Sequence, residues 1–226
     1  IVIDEAQDFG PVEFAIMMDA VRNKHQITIV GDVAQKILFA RKFIGWKKVV
    51  EYLGLDEDSI IQLEVSFRCT VPIMTLAYKV AGDPKTVEGR AGPAPEWKKV
   101  DNFVDLTEAL ADWSRGLLRA DPYKLVALIC RYPKQAMELK EEMENYLPGE
   151  VRLGHRDQFS FEPGVLVTNI HQVKGLEFDS VALVEPDEEN YPEKREESRN
   201  MIYVGITRTQ EDLLLATIRP YSSVLF

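Results

Sequence analysis

Short apolar runs recur along the chain, at Ile1–Ile3, Ile27–Val30, Ile60–Val65, Leu125–Ile129, Val165–Val167, Val181–Val184 and Leu213–Leu215. Runs of this length, apolar on both faces, predict strands of parallel sheets covered by helices on each side. Amphipathic stretches lie between them. Phe14, Met17, Met18 and Val21 share a helical face after Pro11. Phe103, Leu106, Leu110, Trp113 and Leu117 repeat at three and four residues, and so do Leu139, Met143 and Leu147 between Pro133 and Pro148-Gly149. Strands alternating with helices predict an α/β fold built from parallel sheets flanked by helices. Residues 81–95 carry Gly82, Pro84, Gly89, Gly92, Pro93 and Pro95, a concentration of breakers that reads as a linker. The expected organisation is therefore an N-terminal piece at 1–80, a linker at 81–95 and a C-terminal piece at 96–226.

Composition narrows this picture only a little. The 226 residues hold no apolar run of membrane-spanning length, and the two cysteines, Cys69 and Cys130, are too far apart for a metal-ligand pair. Free thiols and a cytoplasmic protein with no membrane contact are the expectation. A net charge of −10 argues against a generally basic surface for nucleic acid, while leaving room for a local basic groove. Between Glu185 and Arg199 seven acids face three bases, which reads as a solvated loop leading into a helix.

The chemistry gathers at the ends of the apolar runs. Asp4 and Glu5 form a carboxylate pair at the end of the first run, a pattern suited to magnesium and to activating a water. Gly31 and Asp32 end the second run, and the amide of Gln35, three residues on, can reach a phosphate or a water; a turn with a helix cap is the plainer reading. Arg68 follows another run and can grip phosphate bidentately, or simply lie on the surface. Residues 168–178 lead from a strand into a turn carrying His171, Lys174, Gly175 and Glu177. There Gly175 permits close backbone approach and Glu177 can accept from a ribose hydroxyl. Asn200–Arg208 reads as a helix that presents Thr207 and Arg208 at its end, where an arginine serves either the helix dipole or a transferring phosphate.

Taken in order, these segments resemble motifs II to VI of superfamily 1 helicases of the UvrD/Rep type. IVIDEAQD resembles motif II, IVGDVAQKI motif III, LEVSFRCT motif IV, IHQVKGLEFDSVALVEP motif V and MIYVGITRTQEDLLLA motif VI. The resemblance implies an incomplete first RecA-like domain followed by a second one, with ATP bound in the cleft between them and single-stranded DNA as the track. It implies that Asp4 coordinates Mg2+ and that Glu5 is the general base. Gln35 and Arg68 would sense the γ-phosphate with Asp32 beside them, Gly175 and Glu177 would meet the nucleotide, and Arg208 would be the arginine finger. His171, Lys174 and Phe39 would face nucleic acid.

The sequence departs from the family in four places. No G-x-x-x-x-G-K-[ST] loop occurs in the 226 residues, so an upstream segment of the same parent chain is expected to supply it, and these residues alone are expected to be inactive. Leu38 and Ala40, flanking Phe39, stand where the family usually stacks aromatic residues on bases. Asn169 stands two residues before His171, where the family usually has threonine. Only residues 131–164 are available for the insertion that UvrD-type enzymes place before motif V. That compactness resembles the HelD-type branch, which implies an ATP-driven factor separating RNA polymerase from nucleic acid. A non-catalytic interaction module is the third reading left open.

Overall fold

The computed structural model describes residues 1–21, 26–35, 43–63, 67–155 and 159–226, arranged in two compact units, 1–64 and 65–226. In the first unit, β1 (Val2–Ile3) pairs in parallel with β2 (Thr28–Ile29), and a 3-10 turn at Ala6–Asp8 leads into α1 (Pro11–Asp19). Pro11 suits the first helical turn, where no intrahelical N–H is needed. A second 3-10 turn at Val33–Gln35 follows β2, and α2 (Trp46–Leu53) closes the unit. Ile3, Ala6, Phe14, Met18, Val49 and Leu53 form its core, so the Phe14–Met18 stripe faces inward as the periodicity requires.

The second unit holds α3 (Val71–Ala81), β3 (Glu96–Lys99), α4 (Phe103–Ala120), β4 (Leu125–Cys130), α5 (Pro133–Met143), β5 (Val151–Leu153), β6 (Gly164–Asn169), β7 (Phe178–Val184), α6 (Glu196–Thr207) and β8 (Thr209–Thr217). Its six strands run in the order β3-β8-β7-β4-β6-β5, and every pair is parallel. This is the α/β architecture that the apolar runs predict. Central strand β4 is buried at all six positions. Its Val126, Leu128 and Cys130 face a cluster with Leu106 and Leu110 of α4 and Leu139 and Met143 of α5. Helix α6 covers the sheet elsewhere and packs with α3. A Cβ on Gly205 would come 3.0 Å from Leu183 and 3.3 Å from Ile170, so glycine lets α6 lie directly on the strands.

The structure differs from the sequence reading in four places. The division between units falls at 64/65, ahead of the expected linker at 81–95. Helix α3 packs on α6, and the glycine- and proline-rich stretch is held down. Arg90 donates to the carbonyls of Arg68 (3.2 Å) and Gln210 (2.6 Å) and pairs with Glu211. The carbonyl of Arg90 accepts from Val71 N, and a Cβ on Gly92 would collide with Thr70. Breaker composition marked irregular backbone, which need not be a domain boundary.

The second difference is at residues 60–63, which form no strand; Ile61 and Leu63 are 83% and 80% exposed, so this run is buried against nothing. The third is in the acidic stretch, which is more ordered than a solvated loop. Asp187 is fully buried, accepts from the backbone N–H groups of Glu189 and Asn190, and lies 3.5 Å from Arg219. Periodicity also missed β3, an edge strand of sequence Glu-Trp-Lys-Lys exposed along its whole length. Charge on an exposed edge strand discourages pairing with other chains.

Leu128→Ala should destabilise this unit by about 2–5 kcal/mol, the usual effect of emptying a rigidly enclosed leucine site. Urea unfolding followed through the β4 amides checks it. A loss under about 1 kcal/mol would mean that the α4/α5 face relaxes into the space.

Candidate nucleotide and nucleic-acid sites

In the first unit the parallel pairing sets two strand tips side by side. Val30 donates to the Ile3 carbonyl and Ala6 donates to the Val30 carbonyl, at 2.8 and 2.9 Å. Asp4 and Glu5 leave the end of β1, and Asp32 leaves the end of β2. Asp4 is exposed, and its Oδ1 accepts from Glu5 N at 2.8 Å. Glu5 has φ 52 and ψ 40, a left-handed conformation that a non-glycine residue adopts only when its surroundings hold it there. The Asp32 carboxylate accepts from Ala34 N and from Gln35 Nε2, both at 3.0 Å. The structure thus brings Asp4, Glu5, Asp32 and Gln35 to one end of a two-stranded parallel sheet. Among the described residues no group of three or more His, Cys, Asp or Glu side chains forms a metal cage. An exposed aspartate beside a second carboxylate instead fits Mg2+, which usually keeps waters and phosphate oxygens and takes only one or two protein carboxylates. Phe39, Leu38 and Ala40 lie outside the described residues.

In the second unit the candidate residues separate onto the two edges of the parallel sheet. At the edge where β7 and β8 begin, Arg68 Nε lies 2.7 Å from Glu177 Oε1, and Gln210 donates to Glu177 Oε2 at 3.2 Å. The Arg68–Glu177 pair is partly exposed. Arg208 occupies the junction of α6 and β8 at the same edge, and its carbonyl accepts from Phe178 N, the first residue of β7. The sequence suggested an arginine presented at a helix end, but the side chain is 1% exposed. Its guanidinium donates to the carbonyls of Val204 (3.3 Å) and Leu176 (3.2 Å) and to Thr207 Oγ1 (3.4 Å). Neighbouring Cys69 is buried and its Sγ points at the Thr207 carbonyl; burial pushes this thiol up to about 11, so it stays protonated.

His171 stands at the opposite edge, two residues beyond the end of β6. Its backbone N–H donates to Asn169 Oδ1, and its Nε2 accepts from Arg131 at 3.1 Å. Partial burial, and then the Arg131 charge, hold the imidazole below its ordinary value, which matches a neutral ring accepting at Nε2. Arg131 follows directly after β4 and is 6% exposed. It lies over the Tyr132 ring at 4.6 Å and reaches Glu197, in the first turn of α6, at 3.8 Å. The turn at residues 170–177 runs from this edge back to the first, with Gly175 at φ 78. Helix α6 also spans the sheet, from Glu197 near Arg131 to Arg208.

Two well-placed residues carried no role in the sequence reading. Gln7 is 1% exposed and bonds to both strand tips of the first unit. Arg131 had a visible signal, a charged residue directly after a fully apolar strand, the pattern that also marks Asp4.

The UvrD-like helicase C-terminal domain family matches residues 150–220, from β5 through β8. Both this match and the one that follows are to helicases of the UvrD/Rep type. The ATP-dependent DNA helicase Rep of Buchnera aphidicola subsp. Schizaphis graminum is 25% identical over 207 residues, which cover 85% of this chain; the chain spans 28% of that protein's length. The C-terminal domain of a possible DNA helicase from Lactobacillus plantarum WCFS1 shares the fold, with a TM-score of 0.60 and 24% identity over 71% of this chain and 92% of that one. The PRRSV helicase superposes with a TM-score of 0.50 and 16% identity, covering 96% of this chain and 34% of that one. Among the described residues, no helix is long and apolar enough to cross a membrane.

Proposed function

We propose that these residues belong to a motor that couples ATP hydrolysis to movement on single-stranded DNA. The observation that carries this reading is the pair of segments spanning the parallel sheet, the 170–177 turn and α6, bonded to each other at Arg208 and Leu176. A strand held near His171 and Lys174 and a nucleotide held near Glu177 and Arg208 would bear on opposite ends of the same two segments. In this reading Asp4 holds Mg2+, whose chemistry when bound is to neutralise charge on the transferring phosphate. Glu5 takes the proton of the attacking water. Asp32 and Gln35 orient the γ-phosphate side. Arg68 leaves part of its pairing with Glu177 to meet phosphate, which frees Glu177 to accept from a ribose hydroxyl. Arg208 stabilises transition-state charge, Gly175 allows the backbone to approach, and Phe39 faces nucleic acid.

One observation favours a second reading. Between β4 and β6 the described chain holds a single helix and one short strand, a compactness that suits a HelD-like factor remodelling complexes of RNA polymerase with nucleic acid. The two readings part on DNA affinity.

For this chain, single-stranded DNA should bind with a Kd no tighter than about micromolar at about 150 mM salt, because a surface of net charge −10 neutralises few phosphates. Binding should strengthen at low salt and fall on Lys174→Ala. Fluorescence anisotropy checks both. Nanomolar affinity at that salt would favour the DNA translocase over the polymerase factor, and no binding at low salt would remove DNA as the track. The 226 residues alone should show no Mg2+-dependent ATP turnover, since they contain no phosphate-cradling loop. Turnover that Glu5→Gln abolishes would contradict this.

A further inference from the structure

We propose that Gln7 is a positioning residue that locks the Glu5 carboxylate to the Asp32–Gln35 tip, so that the two strand ends act as one unit. The proposal rests on the reading of Glu5 and Gln35 as nucleotide-facing, but the bridge itself is a matter of geometry. Gln7 lies in the 3-10 turn after β1 and is 1% exposed. Its Nε2 donates to Glu5 Oε2 at 2.5 Å, and its Oε1 accepts from Asp32 N at 2.9 Å. Asp32 in turn accepts from Gln35 Nε2 at 3.0 Å. Glu5, Gln7, Asp32 and Gln35 therefore form one continuous line of hydrogen bonds across two strands.

Two neighbouring features fit this bridge. A Cβ on Gly31 would lie 2.5 Å from Gln7 Oε1 and 3.0 Å from Ala6 N, so the amide can reach β2 only because residue 31 is glycine. Glu5 sits in a left-handed conformation that costs free energy, and its bond to Gln7 is one contact that holds it there. The residue type at position 7 also matters. A side-chain amide both donates and accepts, whereas a carboxylate only accepts and leucine does neither. Glutamate at position 7 keeps the bond from Asp32 N and loses the one to Glu5; leucine loses both. Replacing the Glu5 carboxylate by a neutral amide alters its bond to Gln7, and that change reaches Asp32 and Gln35 through the other end of the same amide.

The test is NMR on the 15N-labelled 226-residue chain without nucleotide. In the natural chain, Glu5→Gln should shift the Asp32 amide and the Gln35 side-chain amide resonances. In a Gln7→Leu background the same substitution should leave both in place, and the Asp32 amide should exchange with solvent about tenfold faster. Gln7→Glu should keep Asp32 protection within about threefold but lose the bond to Glu5, and adding Glu5→Gln should restore that bond with donor and acceptor exchanged, so the two halves of the bridge are read separately. It also keeps the test decisive if leucine unfolds the first unit. An Asp32 amide indifferent to Gln7→Leu, or a response to Glu5→Gln that persists in the Gln7→Leu background, overturns the proposal, as does, if leucine unfolds the unit, a Gln7→Glu chain in which Glu5→Gln leaves the Asp32 amide unmoved. No nucleotide is present, so failure here is distinct from failure of the ATP reading. In a protein that joins these residues to a phosphate-binding loop, Gln7→Glu should lower kcat and leave the KM for ATP unchanged; a rise in KM alone would point to a merely structural role.

Discussion

Arg208→Ala should lower ATP turnover by about a thousandfold or more in a protein that joins these residues to a phosphate-binding loop, the usual contribution of an arginine that stabilises phosphoryl-transfer charge. The structure adds a second consequence. The guanidinium is almost wholly buried and donates to the Val204 and Leu176 carbonyls, so truncation also removes structural hydrogen bonds. That part should appear as a stability loss of about 1–3 kcal/mol. Arg208→Lys separates the two effects. Lysine keeps the charge but cannot reproduce a planar fork that reaches Leu176, Val204 and Thr207 at once, so turnover should stay low. Measuring kcat and the unfolding midpoint on the same preparations decides the matter. A variant that folds and keeps more than about a tenth of the natural kcat would remove Arg208 from the chemistry.

Glu5→Gln should give the other large loss, with little effect on the fold. The replacement has nearly the same shape and can keep a bond with Gln7, but it no longer accepts a proton from water. The first unit should retain its strand pairing, since β1 and β2 are joined by backbone bonds from Thr28, Val30 and Ala6 that do not involve this side chain. Turnover should fall by about a hundredfold or more, the size of a general-base contribution, while magnesium–nucleotide binding through Asp4 persists.

Much of this fold could be read from the sequence because its strands are buried on both faces. The runs that became β4, β6, β7 and β8 are uninterrupted, and no helix period or solvent-facing alternation competes with that pattern. Strand β3 escaped because an exposed edge strand carries no such pattern, and residues 60–63 misled because apolar content does not itself supply a partner strand. The strand-tip residues were legible for a related reason, since a charged side chain directly after a buried strand stands out. What could not be read was how those side chains are partnered. The Arg68–Glu177 pair joins residues 109 positions apart, and nothing local marks it. The burial of Arg208 depends on a carbonyl in a distant turn. Gln7 looks like any polar residue after a strand until β2 is laid beside it.

In the proposed motor, Glu5 of the first unit and Arg208 of the second are each needed for an ATP hydrolysis that single-stranded DNA stimulates. The most direct test is steady-state ATP turnover, with and without single-stranded DNA, by a protein that joins these 226 residues to a phosphate-binding loop, with nucleotide affinity measured on the same samples. The expected result is Mg2+-dependent turnover stimulated by DNA, lost in Glu5→Gln with affinity for ATP unchanged, and lost in Arg208→Ala. Turnover that neither substitution lowers, in variants that still fold and bind ATP, would contradict it.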